Sequence, residues 1–380
     1  MSTASIVRSV ANETRCLPTP VIVALLAEGQ TDANLSVIPP EVFDICTPTK
    51  GSLEVIKPPN HAQWYALDII STASIVTFAF SIDEHPLWIY AVDGRYIEPL
   101  QVDAVTISNG ERYSVFIKLD KPGGNYGIRA ANIGLNQLID TTAVLTYDAY
   151  NGKHDDSYTI TSTPYTNQAG LNTSADVVFF NQAQMVSFPP AFPQPVPEAS
   201  QTIVLSLRSV GNSYTWTLNG TAFSHSIDNI EPPLLYQSPT SNGLGTNVTI
   251  ETKNGTWVDL ILRVVTPSQP PHPIHKHSNK GFLIGQGLTP WNYTSVTDAV
   301  KSIPQNFNLV APPYRDVFTT IPTSPDAPET WIAVRYQAVN PGPFMLHCHI
   351  QSHLSGGMAM VILDGVDEWP RPSSGGHQKI

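Results

Sequence analysis

Basic residues are scarce in this chain of 380 residues: 20 lysines and arginines stand against 31 aspartates and glutamates, a formal net charge of −11. A nucleic-acid partner needs a basic surface, so that class is excluded. Long apolar runs are missing too; nothing approaches the roughly 18 residues of a membrane-crossing helix, and no transmembrane span is expected. The start, Met1-Ser2-Thr3-Ala4-Ser5 leading into Arg8 and Asn12-Glu13-Thr14, is not patterned as a signal peptide, and the apolar run Pro20 to Ala27 reads as a buried strand. Cysteine is nearly absent, with three in all, so disulfide capacity is small. Cys348 lies among histidines. Cys16 and Cys46 are left as a pair, as two unpaired buried thiols, or as partners of a segment outside this sequence.

What is abundant is Pro (34) and Gly (24), with frequent Thr, Ser and Val runs. That mixture favours short strands and tight turns over long helices. Trp64 to Ile70, Val76 to Ile82, Leu87 to Val92 and Tyr113 to Ile117 read as strands cut by Asp83-Glu84-His85-Pro86, Asp93-Gly94 and Pro122-Gly123-Gly124. They describe one antiparallel sandwich that closes near Leu145-Thr146-Tyr147. The polar stretch around His154-Asp155-Asp156 reads as surface linker. A second linker, Phe188 to Pro197, carries too many prolines for regular structure, because each removes a backbone donor. Strand-like runs resume at Thr202 to Leu207, Val258 to Val265, Phe282 to Ile284, Trp331 to Tyr336 and Met358 to Leu363, giving a second sandwich. The expected division is an N-terminal segment 1–47, a first sandwich 48–162, a linker 163–200, a second sandwich 201–369 and a disordered tail 370–380. Asn-x-Ser/Thr sequons recur along the chain, those at Asn12, Asn172, Asn219, Asn247, Asn254 and Asn292 among them, and point to a secreted glycoprotein of the cell wall or medium whose leader is not in this sequence.

Six of the eleven histidines, together with Cys348, fall in two short segments. One is His347-Cys348-His349-Ile350-Gln351-Ser352-His353, with Met358 five residues on; the other is His272-Pro273-Ile274-His275-Lys276-His277. On a strand, Cys348 points to one face while His347 and His349 point to the other. His275 and His277 share a face, and His272 has the opposite parity. Sulfur is thereby directed to one site and paired imidazoles to another, with the Cys348 backbone as the shortest covalent link. His272, Cys348, His353 and an axial Met358 form the donor set of an electron-transfer copper. Zinc is the nearest competitor, but it would not account for paired imidazoles on the opposite face. The remaining histidines (His61, His85, His154, His225 and His377) are isolated, and His61, His85 and His225 read as surface or hydrogen-bonded residues. Glu98, Asp103, Asp316 and Asp364 read as turn or surface acids.

The runs HCHIQSHLSGGM and HPIHKHSNKGFLIGQG resemble the C-terminal copper signatures of the multicopper oxidases, the fungal laccase-like enzymes in particular. Pro341-Gly342-Pro343-Phe344, Pro313 to Val317, Trp216 to Gly220, and Phe80 to Gly94 add to the likeness, which spans most of residues 48 to 365. The resemblance implies two cupredoxin-like Greek-key β-sandwiches, an all-β chain. It implies a type 1 copper on His272, Cys348 and His353 with Met358 axial, a type 2 copper on His275, and type 3 coppers on His277, His347 and His349. Electrons from a phenol or similar reductant would enter at the type 1 site, pass through Cys348 to His347 and His349, and reduce oxygen to water. The family's oxygen site also uses His-x-His pairs from a first domain, which this sequence lacks. Type 1 ligands are then complete and the others half supplied. Ferrous iron as reductant, a mononuclear electron carrier and an inert fragment are the alternatives. Gln351-Ser352 gives the edge near His353 no charge.

Overall fold

The computed structural model describes residues 4–5, 53–59, 62–133, 140–147, 158–189, 197–211, 215–238, 244 and 247–370. Cys16, Cys46, His61, His154, the tail from 371 and most of the proline-rich stretch lie outside them. The chain divides into two compact units, Met1–Met185 and Val186–Ile380.

In the first unit, one five-stranded sheet runs Ala4–Ser5, Trp64–Ile70, Arg112–Lys118, Leu87–Val92 and Arg95–Val102 in spatial order. The other runs Val55–Ile56, Asp140–Thr146, Asn125–Asn132, Phe78–Ile82 and Ala104–Ile107. The period-two alternation of an antiparallel sheet with one face on the core is visible in Trp64–Ile70 and Arg112–Lys118, whose buried residues (Tyr65, Leu67, Ile69; Tyr113, Val115, Ile117) share one core with Ile89, Ile128 and Leu145. Residues beyond 158 pack back onto this unit: Phe179 bridges Ala104, and Met185 joins the core. His85 is fully buried; its Nδ1–H donates to the Asp83 carbonyl, its Nε2 faces the Tyr147 hydroxyl, and Tyr126 meets its ring edge-on. It is hydrogen-bonded as expected but not at the surface, because two tyrosines enclose it.

The second unit pairs a six-stranded sheet with a five-stranded one. The six-stranded sheet runs Trp216–Thr217, Gln201–Ser209, Trp257–Val264, Thr330–Gln337, Gly281–Gly287 and Tyr314–Arg315. Its central strands Trp257–Val264 and Thr330–Gln337 are buried nearly throughout, as expected of strands covered on both faces. A bidentate Arg335–Asp259 ion pair, at 2.6 and 2.7 Å, links two of them at directly opposed positions. The five-stranded sheet runs Thr249–Glu251, Ala359–Asp364, Gly342–Cys348, Pro273–Lys276 and Val317–Thr319. The two histidine segments thus sit on adjacent strands at the centre of this sheet. Helix is limited: among the described residues the α-helices are Val296–Ser302, whose Ser295 hydroxyl accepts from the Asp298 N–H, and the single turn Gln351–Ser355.

Candidate metal centre

Strand register builds the site. Gly342–Cys348 runs antiparallel to Pro273–Lys276, with Ile274 opposite Cys348 and His275 opposite His347. Directly opposed residues on neighbouring strands project to the same face, so His275 and His347 emerge together, with ring centroids 5.6 Å apart. His277 and His349 follow by alternation, at 5.3 and 5.6 Å from His347. Cys348 points the other way, into the core, and is fully buried.

Backbone hydrogen bonds fix the residues around Cys348. Its N–H donates to the Met358 carbonyl at 3.0 Å, and the Met358 N–H donates to the His353 carbonyl at 2.9 Å. The return from His353 to Met358 passes Gly357 at φ 102°, where an added Cβ would lie 3.0 Å from the Phe223 nitrogen. Glycine is required there on both counts. His272 is clamped from both ends: its N–H donates to the Thr320 hydroxyl at 2.9 Å, and the Thr320 N–H donates to the His272 carbonyl at 3.0 Å.

The outcome is a small triangle of donors. Nδ1 of His272 and Nδ1 of His353 are 3.2 Å apart, and Cys348 Sγ lies 4.0 Å from the first and 3.7 Å from the second. A point in that plane is about 2.1 Å from all three atoms, inside the roughly 2.0–2.3 Å at which imidazole and thiolate bind first-row metals. Among the described residues this is the one trio of His, Cys, Asp or Glu whose donor atoms all lie within 4.8 Å of one another. Met358 is fully buried beside it in the chain.

Burial sets the protonation states. It pushes His272 down to about 3, with His353 adding to the effect, and His353 itself to about 4, so both imidazoles are neutral at pH 7. It pushes the Cys348 thiol up to about 12, against the pull of the Ile350 and His349 N–H groups. His272 Nε2 is buried with no hydrogen-bond partner. Such a pocket holds uncharged donors and has no counter-charge of its own.

The four-histidine group is looser. Nε2 of His277 and Nε2 of His347 are 3.2 Å apart, close enough to share one ion at about 2.1 Å. The outer nitrogens are committed elsewhere: His275 Nδ1–H donates to the Asp316 carbonyl at 3.0 Å and His347 Nδ1–H to the Cys348 carbonyl at 2.9 Å. Each bond fixes the tautomer and leaves Nε2 as the free donor. Burial lowers the pKa of His275 and His277 and takes His347 to about 4.

Three parts of this arrangement are not evident in the motifs. Trp216 stacks on His353, centroids 3.9 Å apart and planes 26° apart. Asp316 lies in the bend between Tyr314–Arg315 and Val317–Thr319; its main-chain carbonyl orients His275 and its carboxylate pairs with Lys280. Asp364 is neither turn nor surface: it is fully buried and lies 3.5 Å from the equally buried Lys276 ammonium. Strand alternation carries the signal for the last, since a lysine between two outward histidines must face inward.

Comparison with known proteins gives the family. The family model described as Multicopper oxidase matches residues 198–368, and a second with the same description matches 34–183. Similar proteins include laccase abr2 of Aspergillus fumigatus, 41% identical over 90% of this chain and 57% of its own length. Multicopper oxidase GIP1 of Gibberella zeae is 40% identical over 90% of this chain and 50% of its own. Among solved structures, the laccase of Botrytis aclada superposes with a TM-score of 0.67 at 24% identity, over 89% of this chain and 57% of that one. The fold is therefore that of the cupredoxin-type oxidases. The chain belongs to the multicopper oxidase family, and it spans about half the length of the curated relatives it matches.

Proposed function

We propose that this chain is the electron-accepting part of a copper-dependent, laccase-like oxidoreductase. In this reading His272, Cys348 and His353, together with Met358, would hold a type 1 copper; His275 would serve a type 2 copper, and His277, His347 and His349 would serve type 3 coppers. The observation that carries the reading is the 3.2, 3.7 and 4.0 Å donor triangle, whose thiolate strand also bears the histidines of the second group. Copper, when bound, would supply a one-electron couple at the triangle and the reduction of oxygen to water at the histidine group.

The chain's own residues do the rest. His272 and His353 offer lone pairs at neutral pH because burial keeps them unprotonated. Cys348 must give up its proton when a metal binds, and the buried pocket keeps water from the sulfur. Peptide bonds join Cys348 to His347 and His349, so the two sites share the shortest covalent link a chain can make. The four imidazoles are half of what an oxygen-reducing cluster of this family takes, and we assign the other half to a preceding copper-binding domain. The reductant is a phenol or similar small molecule. Exposed sequons at Asn172, Asn219, Asn247, Asn254 and Asn292 support a secreted, glycosylated protein.

Reconstituting the 380-residue chain with Cu(II) tests this. One tightly held copper with an intense blue thiolate band, lost in Cys348→Ser, is the expected result, with little oxygen uptake in the presence of a phenol. Absence of the blue band refutes the type 1 assignment; three or four tightly bound coppers with steady oxygen uptake refute the division of the cluster.

A further inference from the structure

The imidazoles of the four-histidine group are not all carried in the same way. His275 and His347 lie within the paired part of their strands, directly opposite one another. His277 lies past it, because Lys276, opposite Leu346, is the last paired residue of Pro273–Lys276. The chain then turns at once, with Ser278 at φ 69°. The His277 ring nevertheless stays over His347, their Nε2 atoms 3.2 Å apart. Two of its holds are on the sheet and the surface: the His277 N–H donates to the Met345 carbonyl at 3.0 Å, and the Asn340 amide donates to the Ser278 hydroxyl at 2.9 Å. Another comes from inside the sandwich. The Lys276 ammonium, on a fully buried side chain, donates to the His277 carbonyl at 3.2 Å. That ammonium is itself fixed. Asp364 Oδ2 lies 3.5 Å from it and the centre of the Tyr336 ring 4.0 Å from it, while Asp364 accepts from the Tyr336 and Thr252 hydroxyls at 2.9 and 2.8 Å.

We infer that Lys276 is a positioning residue for His277, and that its grip on the His277 carbonyl makes His277 and His347 a preformed pair of nitrogens for one metal ion. This rests on the metal-binding reading of the four-histidine group. Strand alternation requires the side chain of residue 276 to face the core, but an apolar side chain would meet that requirement. A buried cation is the costlier choice and is tolerated only when paired. Here the pairing ends on the main chain of a metal-donor residue. A charged donor makes a hydrogen bond about twice as strong as a neutral one, and this one acts on the carbonyl that sets the exit angle of the chain. With that angle fixed before an ion arrives, less conformational freedom is lost when the second nitrogen binds. Groups that orient metal donors in this way change metal affinity roughly 10–100-fold.

Zinc tests this apart from any oxidase activity. Zn(II) is titrated onto the copper-free chain in competition with a chromophoric chelator, and the binding step weakened in His277→Ala marks the four-histidine group. Lys276→Met combined with Asp364→Asn removes both charges together. The expected result is that this double variant weakens the marked step about tenfold, and that it has no further effect when His277→Ala is already present. Proton NMR of the metal-free protein adds a readout before any ion binds: a ring-to-ring contact between His277 and His347 should be lost in the double variant, while the His275–His347 contact stays. An unchanged zinc step, or equal weakening with and without His277, would mean that Lys276 does not act through His277; either overturns the inference. Should the double variant fail to fold, Tyr336→Phe, which removes one hydroxyl that holds Asp364, must weaken the marked step about twofold or more and do nothing beside His277→Ala. No effect of Tyr336→Phe would then overturn the inference. Zinc binding that His277→Ala leaves untouched would instead overturn the metal-binding reading of the group, and the inference with it.

Discussion

Replacing Lys276 by Met removes one half of a buried charge pair and leaves the packing nearly intact. Lys276 and Asp364 side chains are both at 0% exposure, with Nζ and Oδ2 3.5 Å apart. Nζ also lies 4.0 Å from the centre of the Tyr336 ring and donates to the His277 carbonyl at 3.2 Å. Burial pushes Lys276 down to about 8, so it is mostly protonated at pH 7. Breaking a buried pair from one side costs about 3–5 kcal/mol, because the remaining charge is stranded. Here Asp364 keeps two hydroxyl donors, Tyr336 at 2.9 Å and Thr252 at 2.8 Å, and the Met side chain fills most of the space of the lysine stem. The lower end, about 3 kcal/mol, is the expected loss. Adding Asp364→Asn removes the stranded charge while both hydroxyls still have an acceptor, and the double variant should recover to within about 1 kcal/mol of wild type. Urea unfolding of copper-free protein at pH 7, followed on the Val186–Ile380 unit by tryptophan fluorescence, measures all three. A single variant that loses under about 1 kcal/mol, or a double variant as weak as the single, would refute the claim that stranded charge dominates.

Three further outcomes follow from the same residues. Copper-free protein should lose stability as pH falls from 7 to 5: unfolded imidazoles take up protons near 6.5, whereas His272 (about 3), His353 and His347 (about 4) resist until lower pH, so the unfolded state binds the excess protons. For three such groups the loss is about 5.5 kcal/mol, read by urea melts at the two pH values, and a flat profile would contradict it. Met358→Leu should retain the blue band and raise the reduction potential in a spectroelectrochemical titration, because a thioether donor favours Cu(II) more than an alkyl group does; an unchanged or lowered potential would remove Met358 from the copper's donors. Gly357→Ala should cost about 2–4 kcal/mol and shift the blue band, since a Cβ there meets the Phe223 nitrogen at 3.0 Å in a chain at φ 102°; wild-type melting and spectrum together would show that the loop yields freely.

The strands of the second sandwich and the sorting of donors between two faces could be read from the sequence because they depend on period-two alternation alone. Cys348 and its flanking histidines need no knowledge of the rest of the fold to be separated. Other features depend on contacts between residues far apart in the chain. Trp216 meets His353 across 137 positions only because its main chain pairs with Gly356. Asp364 looks like a turn acid, since it ends a strand before Gly365, yet the core closes over it and supplies Lys276, Tyr336 and Thr252. His353 is legible as a donor in its motif, but the single helical turn that carries it, Gln351–Ser355, is too short to leave a periodic signal. His85 resembled a surface residue because Asp83, Glu84 and Pro86 flank it, but Tyr126 and Tyr147 arrive from other strands.

The buried ion pair and the donor triangle of His272, Cys348 and His353 come from one structural choice. A strand that must present His275 and His277 to one side has to present residue 276 to the core, and this chain puts a lysine there. The sandwich interior accepts that cation only because Asp364, two strands away in the same sheet, meets it with Tyr336 and Thr252 in support. The opposing strand makes the reverse arrangement: His347 and His349 face outward and the uncharged Cys348 thiol faces in. Each strand therefore couples the position of its outward imidazoles to a polar residue whose inward partners are fixed by the core. Shifting either strand by one residue would expose Cys348 or bury two more imidazoles. Register in this sheet is held as much by Lys276 and Cys348 on the inner face as by apolar packing, and the spacing of the outward histidines follows from it.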